Sequence, residues 1–280
     1  MDKKLIDLFI KNAIAEDLGD GDHTSLSTIP AGATGKAKLL VKEPGILAGV
    51  ELAIEIFNQI DANLQTEIFI TDGETVSYGD IAFTVEGSTH SILLAERLVL
   101  NCMQRMSGIA TKTNRIVKLL DNFPTKLLDT RKTTPGLRYL EKWAVRIGGG
   151  VNHRIGLYDM ILIKDNHVDY AGGITNAISA ANQYLADQGR QLEIEIEVRD
   201  IAELNQVLEK GMVNRIMLDN FNFDDLRAAV KLIDHRYVTE ASGGITEENI
   251  TEYAECGVDY ISMGALTHSV KSLDMSLKAY

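Results

Sequence analysis

The chain has 280 residues and a formal net charge of −12 at pH 7. Its 45% apolar and 24% charged residues are typical of a soluble globular protein and exclude a disordered chain. The acidic balance argues against a nucleic-acid partner, and the lack of any apolar run of about 18 residues argues against a membrane partner. Two widely separated cysteines, Cys102 and Cys256, show no metal-binding spacing and favour a reducing compartment, which we expect to be the cytoplasm.

The first part of the chain has a mixed α/β pattern. Residues 1–19 form an amphipathic helical pattern rather than a signal peptide, and residues 36–86 predict strands around a helix at 51–60. From about 91 to 120 the pattern becomes helical, with an apolar face made of Ile92, Ala95, Val99, Cys102 and Met106. A polar stripe, Arg97, Asn101 and Gln104, is interpreted equally well as a solvated face or as a functional one.

Six short apolar runs follow residue 123. They span residues 126–131, 160–166, 192–198, 214–220, 237–244 and 259–265. Helical patterns lie between the later runs, at 175–189, 202–211, 223–234 and 246–257. This alternation predicts a parallel sheet with crossover helices, and six such runs favour a closed or nearly closed β/α barrel. A doubly wound open sheet is the structural alternative.

Each predicted strand ends in a polar residue or a glycine. These ends are Arg131–Lys132, Lys164, Glu197, Asp219, Ser242–Gly243–Gly244 and Gly264. In β/α barrels the carboxyl ends of the strands form the functional rim, so we expect these residues to converge. A single charged strand end is usually just solvated, whereas six that share one rim indicate a site.

Basic residues concentrate in the stretch from Arg131 to Lys164. The basic members are Arg131, Lys132, Arg138, Lys142, Arg146, Arg154 and Lys164, against the acidic Glu141 and Asp159. His153 adds a further donor. One explanation is a simple basic patch on the surface. The other is a cleft for an anionic ligand, since arginine binds planar carboxylates and phosphates with two parallel hydrogen bonds.

Acidic residues and glycine turns follow the basic stretch. Glu195, Glu197 and Asp219 either pair with the basic residues or hold a Mg²⁺ ion or sugar hydroxyls, and spacing does not decide between these readings. The turns at 242–246 and 264–269 predict backbone N–H groups around a phosphate. The residues alone thus predict a two-domain α/β enzyme that binds a multiply anionic substrate with an optional divalent metal.

Several motifs make the chain resemble the quinolinate phosphoribosyltransferase family, nearly end to end. They are EDLGDGDHTS (16–25), ERLVLNCMQRMSGIATKT (96–113), the stretch 129–167 that begins DTRKTTPGLR, and then EIEVRD, IMLDN, EASGGI and VDYISMGALTHS. The resemblance implies an N-terminal α/β sandwich domain over 1–108 and an incomplete β/α barrel over 109–280, of the type II phosphoribosyltransferase kind. It also allows the extreme C-terminus to pack back on the N-terminal domain. His23 departs from the hydrophobic residue that the family has there.

The resemblance implies a decarboxylating transfer of phosphoribosyl from phosphoribosyl pyrophosphate to quinolinate, with Mg²⁺, in de novo NAD biosynthesis. It assigns catalysis to Lys132, Lys164, Glu197 and Asp219, with the two acids also near the metal. The dicarboxylate pocket would comprise Arg131, His153, Arg154 and Lys164, completed by Arg97 from the other subunit of a homodimer. The remaining substrate contacts would come from Thr130, Ser242, Gly243, Gly244, Gly264, Ala265, Leu266 and His268.

Other functions remain as alternatives. One is the molybdate-transport-associated relative of the same fold, against which the uninterrupted 129–138 and 152–154 motifs argue. Another is a non-catalytic protein that binds pyridine dicarboxylates, which would leave Glu197 and Asp219 unexplained. Nicotinate phosphoribosyltransferase has a single carboxylate to bind and would not need so many cations. A Schiff-base aldolase would use Lys164 as its nucleophile.

Overall fold

The computed structural model describes residues 3–280. Its helices and strands are, in chain order, α1 (Lys3–Leu18), α2 (His23–Thr28), β1 (Thr34–Val41), β2 (Gly45–Ile46), α3 (Val50–Ile60), β3 (Gln65–Ile68), β4 (Thr75–Val76), β5 (Ile81–Ser88), α4 (Thr89–Leu119), β6 (Lys126–Leu128), α5 (Arg138–Ile147), β7 (Ile161–Ile163), α6 (Asp165–Ala171), α7 (Ile174–Gln188), β8 (Ile194–Val198), α8 (Ile201–Lys210), β9 (Arg215–Asp219), α9 (Phe223–Ile233), β10 (Val238–Ser242), α10 (Ile250–Glu255), β11 (Tyr260–Ser262), α11 (Ala265–His268) and β12 (Met275–Ala279).

The chain divides into two compact units. The first unit combines the described residues through Asn114 with Thr133–Gly149 and Ala265–Tyr280, and the second combines Arg115–Lys132 with Gly150–Gly264. Residue 108, the predicted domain boundary, lies inside the continuous helix α4. The boundaries of the two compact units therefore differ from the boundary at residue 108 that the family resemblance implies.

The first unit contains a four-stranded sheet of order β12-β1-β5-β3, in which every neighbouring pair is antiparallel. The C-terminal strand β12 pairs with β1 through Ala37 and Ala279, so the last residues complete the sheet that the first residues begin. Phe57 of α3 packs edge-on against Phe83 of β5 with ring centroids 5.8 Å apart. The predicted apolar face of α4 is confirmed, since all five of its residues are buried.

The second unit contains a six-stranded sheet of order β6-β11-β10-β9-β8-β7. All five neighbouring pairs are parallel, and the four crossovers from β7 to β11 run through the predicted helices, which confirms the predicted α/β alternation. Strands β6 and β7 occupy the two ends of the sheet, so the barrel is incomplete, as the family resemblance implies. All six predicted strands are present.

Several helices differ from the sequence prediction, and the short helices α2, α6 and α11 were not predicted. The last predicted helix begins only at Ile250, because Asn249 accepts the N–H of Thr246 in a turn that precedes α10. Helix α5 has no counterpart in the prediction. Its apolar residues Leu140, Trp143 and Ala144 recur at helical spacing, but the charged residues around them are interpreted in the sequence as the lining of a cleft. Among residues 3–280, none of the helices has both the length and the hydropathy that crossing a bilayer requires.

Candidate active site

The carboxyl ends of the six parallel strands bring most of the predicted site residues to one edge of the second unit. In neighbouring strands Ser242 of β10 lies in register with Asp219 of β9. The predicted residues that this unit contains are Thr130, Arg131, Lys132, His153, Arg154, Lys164, Glu197, Asp219, Ser242, Gly243, Gly244 and Gly264. Ten of them belong to strand ends or to the loops that follow, which is where β/α folds place their chemistry. The other two, His153 and Arg154, come just after Val151, which makes an isolated parallel bridge to Leu128 of β6.

Lys164 and Glu197 form an ion pair at this edge. Lys164 follows β7 directly, and its Nζ donates a hydrogen bond to Oε2 of Glu197, which projects from β8. The backbone N–H of Lys164 also donates to Nδ1 of His167 at 2.9 Å, which fixes the turn into α6. Glu197 is buried, while the Lys164 side chain is 43% exposed. The ion pair therefore places the charged, solvent-accessible Lys164 beside the buried carboxylate of Glu197.

Asp219 ends β9 and is held on both oxygens. Its Oδ1 accepts a hydrogen bond from the Ser242 hydroxyl, and its Oδ2 accepts one from Nδ2 of Asn220 at 2.6 Å. Gly243 follows with φ +90°, and a Cβ there would lie 2.2 Å from Oδ1 of Asn220. Only glycine therefore lets the chain turn so closely past Asn220. At Gly244, with φ +64°, an added Cβ would meet no atom within 4 Å, so this turn borders open space.

Asp129 is a buried carboxylate that joins the two basic loops of the site. It follows β6 with no exposed surface, and its Oδ1 accepts the backbone N–H of His153 at 2.9 Å. Its Oδ2 accepts a hydrogen bond from the side chain of Asn152. In the other loop Thr130 Oγ1 accepts the N–H of Lys132 at 3.1 Å. Asp129 is not among the predicted site residues, although a lone acid directly after an apolar run is a recognisable signal.

Arg131 and Arg154 are close enough to repel each other. Burial lowers the pKa of the Arg154 guanidinium, and the positive charge of Arg131 lowers it further. Arg154 Nη1 donates to the carbonyl of Met160 at 3.1 Å, while Asp159 accepts the N–H groups of Ile155 and Gly156 and so holds the loop that follows. Two neighbouring guanidinium groups favour an anion between them, because it offsets their repulsion.

A buried polar cluster lies beside this pair of arginines. Nε2 of His153 is 3.0 Å from Oε2 of Glu195 and 3.4 Å from Oε2 of Glu240, and both carboxylates have no exposed surface. Arg215 Nη1 lies 3.2 Å from Glu240. Two of the predicted acids thus have basic partners in the structure, Glu195 with histidine and Glu197 with lysine. Glu240 and Arg215 were not identified from the sequence.

Burial and two acids so close together set the proton balance of this cluster. Burial and the charge of Glu240 together raise the pKa of Glu195 to about 7, against the opposing effects of His153 and Arg215. Burial lowers the pKa of His153, but its hydrogen bonds and charge interactions with the two acids outweigh this and raise it to about 9. The N–H of Arg154 nevertheless points at Nδ1 of His153 from 2.7 Å and opposes a second proton there. The geometry therefore fits a ring protonated on Nε2.

The remaining predicted residues belong to the first unit. Ala265, Leu266 and His268 form the short helix α11, in which Leu266 is buried and His268 is exposed. Two basic residues of α4 hold the backbone of this segment. Arg105 Nη2 donates to the carbonyl of Thr267, and Lys112 Nζ donates to those of Ala265 and Ser269 at 2.9 Å each.

Arg105 also fixes the loop before α5. Its Nη2 lies 2.7 Å from Oε1 of the fully buried Glu141, whose Oε2 accepts the N–H of Thr134 at 3.1 Å. Sequence analysis had assigned Glu141 only to a charge-rich stretch. Of the basic residues in that stretch, Arg138, Lys142 and Arg146 lie on α5 in the first unit, and Lys142 is only 1% exposed. The basic stretch is therefore divided between the two units, and Lys142 is not exposed to solvent.

Arg97 is exposed on α4 and lines a cavity of about 900 Å³. The cavity is formed by residues of the first unit alone, from α1, α4 and the segment 134–141. Asn101, which shares the polar stripe with Arg97, also lines it, whereas Gln104 donates a hydrogen bond to the carbonyl of Met275. Two of the three residues of the polar stripe thus line a concave surface.

Comparisons with known proteins agree with this geometry. Residues 22–107 match the family model "Quinolinate phosphoribosyl transferase, N-terminal domain", and residues 109–278 match the model of its C-terminal domain. A decarboxylating quinolinate phosphoribosyltransferase from Nicotiana tabacum is 49% identical over 284 residues, which cover 96% of this chain and 81% of that protein. A probable carboxylating nicotinate-nucleotide pyrophosphorylase from Bacillus subtilis is 44% identical over 98% of this chain and 92% of its own length. The crystal structure of NadC from Streptococcus pyogenes superposes with a TM-score of 0.93 at 38% identity, and covers 99% of this chain and 97% of that one.

Proposed function

The chain belongs to the quinolinate phosphoribosyl transferase family, and from this premise we propose which residues carry out its reaction. The protein transfers phosphoribosyl from phosphoribosyl pyrophosphate to quinolinate with decarboxylation, and yields nicotinate mononucleotide, pyrophosphate and CO₂ in the biosynthesis of NAD. Within the structure, the observation that supports this function best is the gathering of basic and acidic side chains at one edge of the parallel sheet.

Arg131, Arg154 and Lys164 bind the two carboxylates of quinolinate in this proposal. Quinolinate carries its carboxylates on adjacent ring carbons, so it presents two negative charges to a small area. The mutual repulsion of Arg131 and Arg154 is offset when such a dianion lies between them. Lys164, held by Glu197, supplies a third positive charge. His153 lies at the base of the same loop.

The transfer step needs stabilisation of opposite charges on the two reacting molecules. The ring nitrogen of quinolinate attacks the anomeric carbon of the phosphoribosyl group while the bond to pyrophosphate breaks, and the sugar carries positive charge in between. Glu197 and Asp219 place negative charge where the sugar becomes positive, and Lys132 faces the departing pyrophosphate. No covalent nucleophile is required, because alignment of two mutually repelling anions supplies much of the rate.

Decarboxylation follows from the charge of the alkylated ring. The nitrogen is cationic once it carries the sugar, so the electron pair left at the adjacent carbon when CO₂ departs lies next to a positive charge. A proton then replaces the lost carboxylate. The cationic residues that bind quinolinate retain the second carboxylate, which stays in the product.

The 5′-phosphate of the sugar is proposed to bind at the turns that follow β10 and β11. Gly244 borders open space, where exposed backbone N–H groups have room for a phosphate. Ser242 and Gly243 shape this turn, and Thr130 shapes the loop that carries Lys132. The remaining contacts of the proposed phosphate site are Gly264, Ala265, Leu266 and His268.

Mg²⁺ is the expected metal, because carboxylate and pyrophosphate oxygens are the ligands that this ion prefers. Glu197 and Asp219 fit such a donor set. Both oxygens of Asp219 already accept hydrogen bonds and Glu197 is paired with Lys164, so we propose that the metal is held mainly through the pyrophosphate. When bound, Mg²⁺ would neutralise charge on the leaving pyrophosphate.

The functional unit is proposed to be a homodimer in which Arg97 completes the quinolinate pocket of the other subunit. Arg97 is exposed in a cavity whose lining includes Leu5 and Leu8 of α1, two apolar side chains that are 42% and 54% exposed. A concave surface that combines exposed leucines with an exposed arginine suits docking of a second copy.

The two free, buried cysteines are consistent with our placement of the protein in the cytoplasm.

The function is tested with purified protein, Mg²⁺, phosphoribosyl pyrophosphate and either quinolinate or nicotinate, with products measured by mass spectrometry. Quinolinate labelled with ¹³C in the carboxylate next to the ring nitrogen should give labelled CO₂ and unlabelled nicotinate mononucleotide. Nicotinate should give no product. Product from nicotinate alone would assign the non-decarboxylating reaction instead, and no product from either would favour a binding protein or the molybdate-associated relative.

A further inference from the structure

The reaction proposed above leaves the buried pair Glu195 and Glu240 without a role. The two carboxylates project from β8 and β10 and have no exposed surface. Burying two negative charges side by side is costly unless positive or hydrogen-bonding partners surround them. Their partners therefore indicate what the pair does.

Arg215 accounts for one of the two charges. Its Nη1 lies 3.2 Å from Oε2 of Glu240, and its guanidinium stacks over the ring of Tyr260 at 4.7 Å from the centroid. This stacking fixes the guanidinium on the Glu240 side of the cluster. Glu195 faces His153 instead, with Nε2 of the ring at 3.0 Å.

The same imidazole ring is fixed at its other nitrogen by the next residue. The backbone N–H of Arg154 donates to Nδ1 of His153 at 2.7 Å, so Nδ1 carries no proton in this arrangement. The backbone N–H of His153 is itself held by Asp129 at 2.9 Å. Both ring nitrogens are thus occupied by the protein, which leaves neither directed at a substrate carboxylate.

We propose that Glu195 and Glu240 are positioning residues for quinolinate recognition: they hold Nε2 of His153, direct its Nδ1 to the N–H of Arg154, and so fix the point from which the Arg154 side chain extends. This proposal rests on the proposed function, in which Arg154 binds the dicarboxylate. It changes the role of His153 from a substrate contact to a link between the buried acids and the arginine.

The three side chains also offer ligand atoms within 4.8 Å of one another, a spacing that would suit a metal ion. The neighbouring Arg215 guanidinium argues against this reading, because it already neutralises Glu240 and would repel a cation. A cluster with its own positive group needs no metal to remain buried.

The test compares Glu195→Leu, which removes the hydrogen-bond acceptor, with Glu195→Gln, which keeps one. Glu193→Gln is the matched control, since Glu193 is an exposed acid two residues earlier. Glu195→Leu should raise KM for quinolinate by about ten-fold or more and leave KM for phosphoribosyl pyrophosphate within roughly two-fold, because only the Arg154 side of the site is disturbed. Glu195→Gln should recover most of the loss, and Glu193→Gln should match the unchanged protein.

A second measurement is independent of activity. In ¹⁵N-histidine-labelled protein, which has six histidines, the His153 signals are identified by their loss in His153→Asn. They should show a proton on Nε2 alone in the unchanged protein and in Glu195→Gln, which keeps an acceptor, but a mixture of the two tautomers in Glu195→Leu. Glu195→Ala takes the place of Glu195→Leu in this comparison if the leucine variant does not fold. An equal rise in both KM values, or unchanged His153 signals, would overturn the proposal. Failure of the unchanged protein to form nicotinate mononucleotide would instead contradict the function, while the histidine spectra would still report on the positioning.

Discussion

The hydroxyl of Ser242 donates a hydrogen bond to Oδ1 of Asp219 across two neighbouring parallel strands. The two residues are the last of β10 and β9 and lie in register, so the bond ties the carboxylate to the strand that leads into the glycine turn. Asp219 is therefore oriented by a group that itself begins the proposed phosphate site.

Ser242→Ala should reduce kcat/KM by about ten-fold or more, because a hydrogen bond to a charged group is worth roughly 1.5–3 kcal/mol. We expect most of the loss in kcat, as the role of Asp219 is to stabilise charge that forms during the transfer. Steady-state kinetics at saturating quinolinate provides the measurement. Ser179→Ala is the control, because the Ser179 hydroxyl only donates to the carbonyl of Thr175 within α7.

Arg154→Ala should weaken quinolinate binding by about 1.5 kcal/mol or more, the cost of losing a charge-assisted hydrogen bond. Isothermal titration calorimetry without phosphoribosyl pyrophosphate measures this directly. Arg146→Ala removes an equal charge from the same charge-rich stretch, but on the exposed side of α5, and should leave the affinity unchanged. Equal affinities of all three proteins would remove Arg154 from the pocket.

Arg97→Ala and Lys164→Ala should each nearly abolish activity, yet a mixture of the two should regain about a quarter of the activity when the subunits exchange freely. In a hybrid dimer one site has its own Lys164 and receives Arg97 from the partner, so it is intact. A mixture of Lys164→Ala and Glu197→Gln should stay inactive, because each hybrid site then carries one substitution of its own. No recovery despite demonstrated exchange would contradict the shared site.

The two glycines after β10 should respond differently to alanine. Gly243→Ala places a Cβ 2.2 Å from Oδ1 and 2.9 Å from the backbone nitrogen of Asn220, so we expect a fall in melting temperature and loss of activity. Gly244→Ala meets no protein atom within 4 Å and costs only about 1 kcal/mol for its left-handed backbone. Its methyl group should nevertheless raise KM for phosphoribosyl pyrophosphate if a phosphate occupies that space. An unchanged KM would place the phosphate elsewhere.

The raised pKa of Glu195 has a consequence for stability against pH. Between its usual value of 4.5 and about 7 the folded protein keeps a proton that the unfolded chain releases. The contribution of this group to the free energy of unfolding therefore falls as the pH rises through that range. From pH 4.5 to 7 the melting temperature of Glu195→Gln should therefore rise relative to that of the unchanged protein. The melting temperature of Glu193→Gln, at an exposed position, should show no such trend.

The arrangement of the second unit could be predicted from the sequence because each of its strands is a short apolar run followed by a polar end. That pattern depends only on residues that are close in the chain, and it correctly placed Lys164, Glu197, Asp219 and Ser242 at one edge of one sheet. Helix α5 is not among the predicted helices although Leu140, Trp143 and Ala144 recur at helical spacing, because the charged residues between them are interpreted as the lining of a cleft.

The partners of the acids could not be predicted, because they come from distant parts of the chain. Glu195 and Glu240 are 45 positions apart in number, and only the parallel order β10-β9-β8 brings their carboxylates to the same histidine. Arg105 and Thr267 meet through the same kind of long-range packing. Nothing in local composition distinguishes such an arginine or glutamate from a solvated one.

The pairing of β12 with β1 determines the order in which the protein can be completed during synthesis. Residues 275–279 must leave the ribosome before the sheet of the first unit has its outer strand, so this sheet is still unfinished when all the strands of the second unit have been made. The second unit has all of its strands once Gly264 has emerged. Loss of residues 275–279 would thus damage a sheet that begins at Thr34, and would leave the edge of β1 open to pairing with other chains.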